Sequence, residues 1–353
     1  MKVNDPQNYD SHILNDIDVD CSEMNEIDKK FLNGVIRQVR PKKILEVGVA
    51  AGNSSVVILN AIKDIEGSLL YSIDYNEMHY NMKHKETGFI VKEKYPNLLN
   101  KYKLYTGGVS AKFLDEIGND IDLCLLDTAH SNPGEFLDFL MVLPFLKRNA
   151  IIIIHDVCFH TFKKEFAESY TCGVLFSCID SKQKIIANDT YFNQIGNIGM
   201  AVISDDIYNR IYDYFHLLTL PWKYLLSYQD ISIITNFLYK HYDKKFVELF
   251  KNISLFYNNE RRITYNNVTD IYNNLYASKN NEMISNKDYQ KLRLNSNWFT
   301  LFGISNNDKY LRITLFGIKF SIKMNKERID KLAWWIPVRK WRDNFRNKFL
   351  DNK

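Results

Sequence analysis

The chain has 353 residues, 46% of them apolar and 25% charged, with a formal net charge of +4. This balance belongs to a folded globular protein with room for one large domain plus additions, or for two domains, and excludes a disordered chain. The charge is too small to imply nucleic acid as a partner. No apolar run reaches the ~20 residues that a membrane-spanning helix needs, and the polar, acidic stretch from Met1 to Asp20 reads as neither signal peptide nor anchor. Five scattered cysteines without a CxxC pair predict free thiols in a reducing cytoplasm.

Residues 1–22 carry Pro6, several Asn and Asp and no sustained period, the pattern of an N-terminal arm or lid. Ser22 and Asn25 can cap a helix, and Glu23 and Glu26 suit its first turn. Ile27, Phe31, Leu32, Val35, Ile36 and Val39 then recur at helical spacing until Pro41 ends the run. The stretch from Lys43 to Ser55 sets Ile44, Leu45, Val47 and Val49 around Glu46 as a short buried strand, followed by Gly48, Gly52 and a helix opening near Asn53. The alternation continues with a strand over 69–74 ending in Asp74, a polar helix within 76–100, a strand over 102–106, and a helix over 110–117. A strand over 121–127 ends in Asp127, a helix follows over 134–147, and the strand over 149–156 is apolar on both faces, as a central parallel strand is. Two further strands are predicted at 173–178 and 198–203. The fold class is therefore α/β, a doubly wound, mainly parallel seven-stranded sheet with crossover helices, confined to residues 23–204.

Residues 205–280 read as a helical extension broken at Pro221, and residues 281–353 as a linker, a β-hairpin and a terminal amphipathic helix. The hairpin joins 311–315 to 318–322 around Phe316-Gly317. The terminal helix, 330–350, gathers Trp334, Val338, Trp341, Phe345 and Phe349 on one face, with Arg339, Lys340, Arg342, Arg346 and Lys348 elsewhere. Such a helix docks on its own protein or lies on an anionic membrane surface.

A strand, a glycine turn and a helix N-terminus expose backbone N–H groups and let a ligand approach the main chain closely. The turn is not G-x-G-x-x-G: Gly48 is followed by Ala50 and Gly52, and Glu46 sits in the strand before it. A dinucleotide site wants the middle glycine, and an acid there suits a cation better than a pyrophosphate. Asp127, His130, His155 and Asp156 end two adjacent strands and converge on the carboxyl edge of the sheet, where open α/β sheets bind ligands. Their carboxylates and imidazoles are donors of the kind that hold Mg²⁺ or Mn²⁺; alternatively, His155 and Asp156 only tie down the following loop.

In this order, Glu46-Val-Gly-Val-Ala-Ala-Gly52 with Asp74, Leu-Leu-Asp127-Thr-Ala-His130 and Ile-Ile-His155-Asp156 resemble the class I S-adenosylmethionine-dependent methyltransferases over about residues 24–204. The resemblance is nearest to the branch of small-molecule and sugar O-methyltransferases. It implies a Rossmann-like methyltransferase fold in which Gly48, Ala50 and Gly52 line the S-adenosylmethionine. Glu46 would support the cofactor's amino-acid end, Asp74 would hold its ribose, and the segment from Gly107 to Ser110 would lie near its adenine. Ala50 departs from the glycine of many members. The resemblance further implies Mg²⁺ or another divalent cation on Asp127 and Asp156, with His155 at a position that is acidic in metal-using relatives, and His130 as general base.

The expected activity is methyl transfer to a sugar hydroxyl in bacterial surface polysaccharide biosynthesis, in the cytoplasm, with inner-membrane contact through 330–350. The hairpin at 311–322 resembles tails on bacterial enzymes that build surface glycans. A small-molecule or glycan acceptor is expected, no nucleic acid, and self-association through the helices of 205–280. Two alternatives stay open: a nicotinamide-dependent oxidoreductase on the same sheet, and a non-catalytic, membrane-associated assembly module.

Overall fold

The computed structural model describes residues 2–18, 24–162, 166–188, 196–258, 302–307, 310–315 and 318–323. The chain divides into two compact units, Met1–Val268 and Thr269–Lys353.

The arm is tied down. Val3 is buried and exchanges hydrogen bonds with Gln183, its N–H donating to Oε1 at 3.1 Å and its carbonyl accepting from Nε2 at 2.7 Å. Helix α1 (Glu26–Val39) starts at Asn25, whose side chain accepts from the N–H groups of Ile27 and Asp28. Gly34 within α1 is required by the arm, because a Cβ there would lie 1.7 Å from the Pro6 carbonyl oxygen.

Strand β1 (Lys43–Val47) leads through the glycine turn to α2 (Asn53–Ile62), buried along its whole length, and then to β2 (Leu69–Asp74). The polar helix expected within 76–100 is corrected to a loop followed by the short α3 (Phe89–Lys94) and a 3₁₀ turn, Pro96–Lys101. The loop satisfies its backbone without helical bonds. The His79 N–H donates to Lys85 O, His79 Nδ1 accepts from Asn81 and Met82, and the Gly88 N–H donates to Ala50 O on the glycine turn.

Next come β3 (Tyr102–Thr106), a 3₁₀ turn Ser110–Lys112, α4 (Leu114–Ile117), β4 (Ile121–Leu126), α5 (Gly134–Val142) and β5 (Leu146–His155). The strand expected at 173–178 is helix α6 (Thr171–Cys178), which buries Cys172, Leu175 and Phe176. A short apolar run fits a buried strand or a helix face equally. The sixth strand is instead β6 (Ser181–Ile186), followed by β7 (Ile198–Ile203). β6 lies at the sheet edge, where Lys182 and Lys184 are at home and blunt the strand's apolar signal.

The sheet order is β3-β2-β1-β4-β5-β7-β6, parallel from β3 to β5 and antiparallel at β7. The chain winds outward in both directions from β1 and β4, so their carboxyl ends form the switch point where a crevice opens. Ile151 and Ile153 of β5 pack toward α1 and α2, while Ile152 and Ile154 pack toward α5 and α6. The second core continues past residue 204 without a break: α7 (Ile211–Leu217), α8 (Tyr228–His241) and the helical residues 244–258 add Tyr214, Phe215, Trp222, Phe237 and Phe250 to it.

In the other unit, β8 (Phe302–Asn307), β9 (Tyr310–Leu315) and β10 (Ile318–Lys323) form an antiparallel sheet in the order β10-β9-β8. β9 and β10 are the expected hairpin, and β8 is a strand where a linker was expected. The helix expected at 330–350 lies outside the described residues. Among the described residues no helix is long and apolar enough to cross a membrane.

Candidate active site

The glycine turn is built from left-handed backbone at Gly48 (φ 94°), Ala50 (φ 50°) and Gly52 (φ 97°). A Cβ on Gly48 would lie 1.8 Å from the Asp127 carbonyl oxygen, so the close approach of β1 to the end of β4 demands glycine. Ala50 takes the same handedness at a cost of about 1–2 kcal/mol. Asp74 holds this conformation: Oδ2 accepts from the N–H groups of Val49 and Ala50 at 2.9 and 3.0 Å, and Oδ1 accepts from Asn76 N at 2.8 Å.

A cavity of about 1270 Å³ opens over the turn, lined there by Gly48, Val49, Ala50, Ala51 and Asp74. Glu46 and Gly52, expected against the cofactor, are not in its wall. Gly52 faces backward, its missing Cβ 3.1 Å from the Cα of Gly88. Glu46 is fully buried beneath the turn and accepts hydrogen bonds from the hydroxyls of Ser54, Ser55 and Ser72, which join β1, α2 and β2. Burial pushes its carboxyl up to about 7, against the pull of the three hydroxyls. Of this group Ser54 reaches the cavity.

Ser110, also in the cavity wall, donates to Asp138 Oδ1 at 2.8 Å, and burial pushes the Asp138 carboxyl up to about 7. Asp138 escaped the sequence reading; an acid between Leu137 and Phe139 on an apolar helix was its signal. Tyr224, Leu226, Asp230 and Ile234 of the extension line the cavity as well. Asp230 accepts from Tyr75 Oη at 3.2 Å, joining α8 to the segment after β2.

Beside the turn, Asp127, His130 and Asp156 converge. One ligand atom from each lies within 4.8 Å of the others, and all three residues line the cavity. His130 Nε2 is 3.2 Å from Asp156 Oδ2 and 3.8 Å from Asp127 Oδ1. His130 (φ 54°) and Asp156 (φ 58°) both have left-handed backbone, strain of the kind that collects at functional sites. Burial alone would lower the His130 pKa, but the Glu135 carboxylate, with Asp127 and Asp156, outweighs it and carries the imidazole to about 9.

His155, expected with them as a metal ligand, lies outside the cavity wall, its Nδ1 3.6 Å from Asp156 Oδ1. Its ring is clamped between Asp28 Oδ2 on Nε2 and Asp127 Oδ2 on Nδ1, each at 3.2 Å. Burial opposes its charge, but Asp127 and Asp156 hold its pKa well above the ordinary value. The second Asp28 oxygen, Oδ1, is buried with no hydrogen-bond partner, and Asp28 lines the cavity.

Residues 45–157, from β1 to just past β5, match the model of a family described as a methyltransferase domain. No curated protein matches. Among solved structures, the chain is similar to the O-methyltransferase TomG of Streptomyces achromogenes, involved in tomaymycin synthesis and solved with S-adenosylmethionine, at 12% identity, with 57% of this chain and 91% of that chain covered and a TM-score of 0.40. It is similar to a putative caffeoyl-CoA O-methyltransferase of Staphylococcus aureus at 14% identity, covering 56% of this chain and 94% of that one, with a TM-score of 0.41. An O-methyltransferase of Bacillus cereus in complex with S-adenosylhomocysteine shares 16% identity, with 55% and 87% covered and a TM-score of 0.39.

Proposed function

We propose that this chain, whose residues 45–157 match a methyltransferase-domain family, is a class I S-adenosylmethionine-dependent methyltransferase that methylates a hydroxyl oxygen, that of a sugar in surface polysaccharide biosynthesis. The observation that carries the reading is the convergence of Asp127, His130 and Asp156 in the same cavity as the glycine turn. A sulfonium methyl is already activated, whereas a sugar hydroxyl is a poor nucleophile, so the protein's task is to orient the hydroxyl and take its proton. The new O–CH₃ bond forms as the S–CH₃ bond breaks, and the hydroxyl proton passes to His130 Nε2. Such a base contributes ~10²–10⁴-fold, and in-line positioning supplies much of the rest.

The donor set fits a hard divalent cation: carboxylates with an imidazole beside them. Asp127 and Asp156 would hold it, and it would supply Lewis acidity that lowers the hydroxyl's pKa. Carboxylates engaged in this way would hold the His130 proton less tightly. Phe159, packed edge-on against the His130 ring at 5.4 Å, and Phe162 add an apolar wall that suits the C–H face of a sugar ring.

The test is transfer of ¹³C-methyl from S-adenosylmethionine to a panel of nucleotide sugars and oligosaccharides, read by NMR. An O-methyl product is expected, and His130→Ala should bind cofactor but lose turnover by at least 10²-fold, on the scale of a general base. Normal turnover by His130→Ala would remove the base assignment; methylation only at nitrogen would remove the oxygen acceptor.

A further inference from the structure

We infer that Asp138 of α5, held by Ser110, reads the 6-amino group of the cofactor's adenine. The inference rests on the reading of the cavity as the S-adenosylmethionine site, and it names the side chain that selects the base. The sheet order fixes the direction in which the base must lie. Outward from β1 the strands run through β4 and β5 on one side and through β2 and β3 on the other. The acid–histidine cluster follows β4 and β5, so the sulfonium methyl has to point to that side. Asp74, expected at the ribose, ends β2, one strand away in the opposite direction. A base on that ribose continues toward β3, and the residues that follow β3, Gly108, Val109 and Ser110, line the cavity. Ser110 Oγ donates to Asp138 Oδ1 at 2.8 Å, and Asp138 lines the cavity with it.

The chemistry of this wall suits an aromatic amine. A carboxylate offers about four acceptor sites, so the bond from Ser110 leaves capacity for a ligand's N–H. Asp138 is half-buried, and an amine donor stabilises the charge that burial disfavours there. Leu137 and Met141 stand on the same face of α5, at helical spacing from Gly134 and Asp138, and all four line the cavity. Ile234 of α8 joins them, and α5 and α8 both pack on the turn Ser110–Lys112. Apolar walls with one convergent acceptor fit a flat heteroaromatic ring. In an adenine joined to ribose, the 6-amino group carries the ring system's only N–H donors. The neighbouring acid, Asp230, accepts on one oxygen from both Tyr75 Oη at 3.2 Å and Ser227 Oγ at 2.6 Å, and so ties α8 to the segment after β2.

The test is calorimetric titration of the full-length protein with S-adenosylhomocysteine and with its analogue lacking the 6-amino group. The wild type is expected to bind the amine-bearing ligand about 10- to 100-fold more tightly, the scale of a hydrogen bond to a charged acceptor. Asp138→Leu removes the acceptor and should cut that preference below about threefold, while Asp138→Asn, with a neutral acceptor, should fall between. The preference is a ratio measured within one protein, so a general loosening of the pocket weakens both ligands alike and leaves it unmoved. Equal affinities in the wild type, or the wild-type preference kept in Asp138→Leu, would overturn the inference. Asp138→Asn keeps the shape of the side chain and decides if Asp138→Leu fails to fold, an undiminished preference there counting equally against Asp138. Failure of the cofactor-site reading shows separately, as binding of neither ligand by folded wild type.

Discussion

Asp74 does two jobs with one carboxylate: it holds the left-handed glycine turn through two backbone N–H groups and faces the cavity where the cofactor's ribose is expected. Asp74→Ala should therefore weaken S-adenosylmethionine binding by more than about 100-fold, two hydrogen bonds to a charged group at about 1.5–3 kcal/mol each setting the scale; calorimetry reads it. Gly48→Ala should destabilise the fold by more than ~3 kcal/mol in urea denaturation, because its Cβ meets the Asp127 backbone and β1 would have to move away from β4. Glu46 supplies a pH signature. Its folded pKa of about 7 lies above the ordinary 4.5, so the folded state holds the proton more tightly than the unfolded one. The stability this gives is present below 4.5 and is lost as pH rises through 7, a loss on the order of 3 kcal/mol. The wild-type minus Glu46→Gln difference in denaturation free energy should show that loss between pH 4.5 and 8, while His130 titrates higher, near 9. A flat difference would contradict the buried, hydroxyl-bound carboxyl.

Strands with a continuous apolar run or a terminal acid were legible in the sequence, as at β1, β4 and β5, and with them Asp74, Asp127, His130 and Asp156 at their ends. Elements whose signal depends on partners were not. α6 reads as a strand because eight residues of buried helix show no clear period, and β6 reads as nothing because edge lysines interrupt it. Burial direction was equally hidden: Glu46 points beneath the turn and His155 lies outside the cavity wall, although both sit in motifs that suggest a ligand. Asp28 comes from a helix distant in sequence from the strand ends, and only packing brings it there, whereas Glu135 stands five residues after His130 on the helix that follows β4. The N-cap of α8 shows the same coupling. Ser227 accepts from Asp230 N at 3.0 Å, and Asp230 bonds Tyr75 across the cavity. Ser227→Ala should lower stability by about 1 kcal/mol.

At the scale of the unit Met1–Val268, the extension belongs to the core. Tyr214, Phe215, Trp222, Phe237 and Phe250 share one apolar cluster with β4 and β5, and residues 224–234 complete the cavity. A chain ending at residue 204 should be insoluble, having lost that cover, whereas a chain ending at residue 268 should remain folded and bind cofactor as the full protein does. Gel filtration and circular dichroism of the two truncations check this.

The central claim is that one cavity joins a cofactor turn to an acid–histidine cluster, and calorimetric titration with S-adenosylmethionine, in Mg²⁺ and again in EDTA, tests it most directly. Saturable one-site binding is expected in both buffers, with Mg²⁺ binding detectable in the wild type and lost in a variant carrying both Asp127→Asn and Asp156→Asn. No cofactor binding in either buffer, by protein shown to be folded, would contradict it.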